Sequence, residues 1–191
     1  MSGWGRSCKR GNSSDSRWYH GTYMKVYFAA DHAGFDLKNI LMNFVRGDLG
    51  HEVEDCGAFE KDPNDDYPEI IAAACRSIVR DVSEGIECRG IILGASGQGE
   101  AMAANRFESV RAAVYYGATG HQVDTSGISL DMLASIRGHN DSNVLSLGAR
   151  FLTEDEAKQA VKSWLAAPFT GDERHVRRIG KLDTLQEHSG I

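Results

Sequence analysis

Two spacings of apolar residues alternate along the chain. Short runs at Lys25–Ala30 (KVYFAA), Glu52–Cys56, Ile91–Leu93, Val110–Tyr116 and Val144–Leu147 have the length of strands. Ile91–Leu93 has no polar side, as a strand buried on both faces requires. Between these runs the spacing changes to three and four. Leu37, Ile40, Leu41, Phe44 and Val45 form one stripe of an amphipathic helix. Ile70, Ile71, Ala74, Cys75 and Ile78 form another after Tyr67-Pro68, where proline suits the first helical turn. Ala101-Met102-Ala103-Ala104 are strong helix formers. A last helix opens at Thr153, with Glu156 completing a capping box. It buries Ala157, Ala160, Val161, Trp164 and Leu165 and stops near Pro168.

Five strand–helix repeats predict an α/β fold, a three-layer α/β/α sandwich with a five-stranded parallel sheet of Rossmann-like or flavodoxin-like kind. Right-handed crossovers bring the strand C-termini to one edge. Asp31, His32, the glycine loop after Leu93, Glu100 and Arg150 all follow strand ends and are expected to line one crevice. One segment breaks the rhythm. Gly117–Ser129 reads as an inserted loop before a short helix around Leu130–Ile136, and is either a lid or a surface excursion. Residues 1–23 are rich in Ser and Gly without a hydrophobic period, and are expected to be disordered or loosely attached. Met24 stands directly before the first strand as an alternative start. The domain is expected over residues 24–182, with a tail at 183–191.

Charge narrows the partners. The chain carries −6 overall, yet residues 1–23 hold four cations against one anion, which leaves −9 on the rest. An acidic body argues against nucleic-acid binding, and the basic arm is left as a contact for a partner subunit or as nothing. Arg174, Arg177, Arg178 and Lys181 cluster near the C-terminus, which points to a small anionic ligand. No apolar stretch approaches the roughly 18–20 residues that span a bilayer. Cys8, Cys56, Cys75 and Cys88 form no CxxC pair and have no histidine at zinc spacing. With no apolar leader, the expected compartment is the cytoplasm and the expected thiols are reduced.

The richest stretch is Arg89–Arg106, RGIILGASGQGEAMAANR. A strand, a turn of small residues and a helix start make an anion site. Other glycine loops fit poorly: Met102 stands where a dinucleotide fingerprint needs its third glycine, there is no GK[ST], and GASGQ puts its glycine one place early for a nucleophile elbow. What sets this loop apart is Glu100 in the first helical turn, a base or simply a helix cap. At a helix N-terminus it is expected to stay ionised.

The blocks DHAGFDLK, DYP, GASGQGEAMAANR, GHNDSNVLSLGAR and DERHVRR, in this order from about Lys25 to Lys181, resemble the ribose-5-phosphate isomerase B and galactose-6-phosphate isomerase subunit family. The resemblance implies aldose–ketose isomerisation of a sugar phosphate, most directly ribose 5-phosphate, without metal or cofactor. It also implies a homodimer or dimer of dimers with active sites built from two subunits. Carried onto this chain, Glu100 is the base. Many family members carry a cysteine base at the position of Gly94, so this chain resembles the subgroup that uses glutamate. Gly94, Ser96, Gly97 and Gly99 would hold an enediolate, with the Ser96 hydroxyl assisting. Asp31 would meet a sugar hydroxyl, His32 the phosphate end, Tyr67 the length of the sugar and Asn140 another hydroxyl. His139 would open the ring, since an imidazole passes a proton either way. Arg150, Arg174 and Arg178, with His175 nearby, would clamp the phosphate. Arg174 and Arg178 are four apart, on one helical face. Rival readings are an isomerase of another C4–C6 sugar phosphate, a non-catalytic sugar-phosphate sensor and a subunit silent without a second homologous chain.

Overall fold

The strand Cys88–Gly94 (β3), buried at every residue, is the middle of the molecule. In the computed structural model, which describes residues 23–185 except 119, 121, 124–126 and 128, it is flanked by four parallel strands. These are β1 (Lys25–Ala30), β2 (Glu52–Asp55), β4 (Ala112–Tyr115) and β7 (Val144–Gly148), in the order β2-β1-β3-β7-β4. All four pairings are parallel. The plan is doubly wound, with the last two strands exchanged relative to the flavodoxin order. The expectations for residues 1–22 and 186–191 lie outside the described residues.

The alternation of strand side chains divides the core in two. Val26, Phe28, Ile91, Leu93, Leu145 and Leu147 face α1 (Phe35–Gly47), α4 (Met132–Asn140) and α5 (Glu154–Ala166). Tyr27, Ala29, Ile92 and Val144 face α2 (Tyr67–Ser83) and α3 (Gln98–Ala104). Helices therefore cover both faces, which is why the central strands carry no polar stripe. The capping box at Thr153 is present, and the five predicted apolar residues of α5 are all buried. Arg89, at the buried start of β3, donates to the carbonyls of Trp164 and Leu165 and so closes the end of α5. Burial pulls its pKa down to about 10.

Several local expectations change. The buried face of α1 is Lys38, Leu41, Met42 and Val45, so the helix is turned by about one residue and Ile40 is only half-buried. Lys38 is fully buried because its Nζ donates to Asp55 Oδ1 (2.6 Å) and to the Ala58 carbonyl (2.6 Å), which a hydrophobicity pattern cannot register. Strand β4 begins two residues late because Ser109 turns the chain at φ 62° and Arg111 Nε donates to the Asp141 carbonyl. The inserted segment contains a short antiparallel pair, β5 (Gln122–Val123) with β6 (Ser129–Leu130). Helix α4 starts after Asp131, whose carboxylate accepts from Ala134 N, and runs on through Asn140. A further helix, α6 (Glu173–Asp183), carries the C-terminal arginines.

At the C-terminal edge of the sheet the pairing continues past the strands. Ala30 exchanges hydrogen bonds with the loop at Gly57 and Ala58, both at 2.8 Å. Ala149 N donates to the Gly94 carbonyl and Arg150 N to that of Ala95. The loops that carry the predicted site residues are thereby tied to one another by backbone.

Candidate active site

The loop after β3 places Glu100. Gly97 turns at φ 72°, a left-handed conformation that glycine adopts without cost, and α3 starts directly after it. Ser146, fully buried on β7, donates to the Gly97 carbonyl (2.6 Å) and fixes the turn from below. Glu100 then folds back, 4% exposed, until its carboxylate lies against the Cα of Gly94. A β-carbon at Gly94 would fall on top of that carboxylate. A β-carbon at Gly99 would lie 2.7 Å from the Tyr67 hydroxyl, so Tyr67, at the start of α2, closes over the same loop. Ser96 is half-buried and its hydroxyl oxygen accepts a long bond from Gln98 N (3.4 Å).

The surroundings of Glu100 disfavour its charged form more than a helix N-terminus alone implies. Burial pushes its pKa up, its own backbone N–H pulls the other way, and the nearby Asp31 carboxylate adds to the upward shift. Desolvation outweighs the short helix behind it. A carboxylate whose pKa is raised is a stronger base than an exposed one.

Asp31 and His32 leave the end of β1 beside this carboxylate. Asp31 is buried and its Oδ1 accepts from Ala33 N (2.9 Å) and Gly34 N (3.0 Å). His32 Nδ1 sits 2.7 Å from Asp65 Oδ1, and this carboxylate raises the imidazole pKa, against burial and the Arg150 charge. Arg150 is exposed at the end of β7, within electrostatic reach of His32. Donor atoms of Asp31, His32 and Asp65 lie within 4.8 Å of one another, but Asp31 Oδ1 and His32 Nδ1 already have hydrogen-bond partners.

The remaining predicted residues gather elsewhere. His139, in the last turn of α4, stacks on His175 of α6 with ring centroids 4.4 Å apart and planes 9° from parallel. His175 is buried, and its Nε2 accepts from Arg174 Nε (3.1 Å). Burial, His139 and Arg174 all hold its pKa down. His175 thus turns toward His139 and not outward with the exposed Arg178. Asn140 is exposed and donates to the Ser135 carbonyl. This end of α4 is held by Asp141, which accepts from Arg137 (2.8 Å) and Arg111 (2.7 Å), and by Thr170, which donates to the Gly138 carbonyl. The predicted residues therefore form two groups. One, at the sheet edge, contains Asp31, His32, Tyr67, the glycine loop, Glu100 and Arg150. The other, between α4 and α6, contains His139, Asn140, Arg174, His175 and Arg178.

A sequence profile of ribose/galactose isomerases matches residues 26–182. The chain belongs to the ribose/galactose isomerase family. It is 36% identical over 165 residues to ribose-5-phosphate isomerase B of Mycobacterium tuberculosis, covering 86% of this chain and 90% of that protein. Among solved structures it resembles Mycoplasma genitalium ribose-5-phosphate isomerase B with bound ribulose-5-phosphate. That match has TM-score 0.74 and 29% identity, over 89% of this chain and 100% of that one. The Thermotoga maritima enzyme matches with TM-score 0.71 and 34% identity, over 87% and 100%. Family membership and the buried carboxylate on the glycine loop agree on a sugar-phosphate isomerase. Sequence reasoning missed Asp65, Ser146 and the Arg111–Asp141–Arg137 network. Asp65 was hidden in an acidic run, Ser146 in a buried strand, and the network in the 30 residues between Arg111 and Asp141.

Proposed function

We propose that the protein interconverts ribose 5-phosphate and ribulose 5-phosphate. The observation that carries this reading is the Glu100 carboxylate, buried and laid against a glycine that leaves it room. The names and bound ligand of its relatives support the choice of sugar. In the forward direction Glu100 takes the C2 proton of the open-chain aldose. The C2–H electron pair becomes the C1=C2 bond, and charge gathers on O1, which the small-residue loop Gly94–Gly99 would receive. The proton returns to C1, O1 is protonated, and the O2 hydroxyl gives up its proton as C2=O forms. Preorganised donors facing such a charge are typically worth about 3–4 kcal/mol each.

Before that step His139 takes the proton of the anomeric hydroxyl while the ring oxygen gains one, which opens the sugar. His32, Arg150, Arg174 and Arg178 hold the phosphate, with Asp31, Tyr67 and Asn140 along the chain of carbons. His175 serves by packing under His139. Because the two groups of residues sit on different parts of the subunit, we assign the working unit to a homodimer, each site joining one group from either chain. The three free cysteines among the described residues support a reducing compartment, the cytoplasm.

The test is turnover of a panel of C4 to C6 aldose phosphates by the purified protein. Ribose 5-phosphate is expected to give the highest kcat/KM, and Glu100→Gln to lower it at least about a hundredfold. Glu100→Gln activity within a few-fold of wild type would end the assignment of the base. A higher kcat/KM on a hexose or tetrose phosphate would move the substrate and leave the base in place.

A further inference from the structure

From Phe59 to Asp66 the loop between β2 and α2 is acidic and exposed, with one exception. Asp62, Asn64 and Asp66 all face solvent, while the Asp65 side chain is only 11% exposed. An Asx turn, in which Asp62 Oδ1 accepts from Asn64 N, and a bond from Asp65 N to the Asp62 carbonyl roll the loop so that Asp65 turns inward. There its Oδ1 meets His32 Nδ1 at 2.7 Å, across 33 residues of sequence. Its Oδ2 is buried with no hydrogen-bond partner among the described residues. A carboxylate placed this way needs a cation beside it. His32 is the group in contact.

We propose that Asp65 is a positioning residue for phosphate binding, orienting His32 and keeping it protonated. This rests on the reading of His32 as a phosphate ligand. An ionised carboxylate can only accept, so Nδ1 of His32 must donate to it, and that fixes the ring. Nε2 is then the nitrogen left to face the substrate, and as N–H it gives the phosphate a charge-assisted bond. The charged groups around His32 are Asp31 on its own loop, Asp65 from the loop before α2 and Arg150 from the end of β7. The two carboxylates favour the imidazolium and Arg150 opposes it, with Asp65 the strongest of the three. Asp65 lowers the repulsion between Arg150 and a protonated His32 when the two share one phosphate.

The sign of the pH effect follows. The imidazolium binds below the His32 pKa, and affinity is lost as pH rises through it. Taking the Asp65 charge away should bring that loss to lower pH. The experiment compares wild type, Asp65→Asn and Asp65→Glu by NMR titration of the His32 ring, its signal assigned with His32→Gln. The KM of ribose 5-phosphate is followed over the same pH range. In Asp65→Asn the titration midpoint is expected to fall, and the rise of KM with pH to begin earlier. KM should be about tenfold higher above that point, the scale of one charged hydrogen bond, and kcat should stay within about twofold. Asp65→Glu should recover part of the shift. An unchanged His32 midpoint in Asp65→Asn, or a fall in kcat with the KM profile unmoved, would overturn the proposal. An inactive wild type would instead sink the isomerase reading, and the ring titration would still decide whether Asp65 holds the proton on His32.

Discussion

Glu100 works against the stability of the fold that holds it. Its folded-state pKa is raised, chiefly by burial, so ionising it in the native state costs more than in the unfolded chain. Below the ordinary glutamate value both states are protonated and there is no penalty. As pH rises through the folded value the penalty appears in full. Glu100→Gln should therefore melt at a higher temperature than wild type at pH 8 and show no such gain at pH 4, while its activity is lost. Differential scanning at the two pH values reads this directly. The same shift predicts that kcat/KM falls on the acid side with a midpoint above the model-compound glutamate value of 4.5. A limb at or below 4.5 would contradict the burial. The position of Glu100 in the first helical turn was legible in the sequence, because small residues before it and alanines after it announce the turn. Its burial was not, because that depends on the loop folding Glu100 back onto Gly94 and on the approach of Asp31 from the end of β1.

Elements are held at the site by polar groups that the apolar pattern does not reveal. Lys38 of α1 bridges to Asp55 and Ala58, and Ala58 in turn pairs with Ala30, the residue before Asp31. Lys38→Met would keep the packing and leave Asp55 without its cation. We expect a loss of about 2–3 kcal/mol and a melting temperature lower by about 5–10 °C, with a higher KM because the Asp31 loop loosens. The cap of α5 is simpler. Thr153→Ala removes a cap whose hydroxyl pairs with Glu156 and should cost about 1 kcal/mol with little change in KM, as denaturant unfolding and steady-state kinetics would show. The turned face of α1 has the same origin as the Lys38 bridge. A lysine with two close acceptors can occupy a core position that periodicity reserves for Ile40.

Taken whole, the proposed assignment divides the site between two parts of the subunit. On it the sheet edge would supply the base and part of the phosphate grip, and the α4–α6 region the ring-opening histidine and the arginine pair. If a dimer joins them crosswise, Glu100→Gln and His139→Ala subunits, each inactive alone, should complement. Co-refolding the two at equal amounts should recover about a quarter of wild-type turnover, since half the dimers are mixed and one of their two sites carries both native groups. No recovery, with mixed dimers confirmed by mass, would place both groups of residues in one subunit's site.

The sequence by itself determined the five strands of the main sheet, most helices, the parallel α/β class and the loop that carries Glu100, because these follow from local periodicity, turn residues and helix propensity. Only the tertiary structure decided that β7 lies between β3 and β4, that Glu100 is buried against Gly94, that Asp65 meets His32, and that His175 packs under His139. Apart from the short Gly94–Glu100 loop, each of those is a contact between residues distant in the chain. Local composition leaves such contacts open, and the low dielectric they create sets the charge of the groups within them.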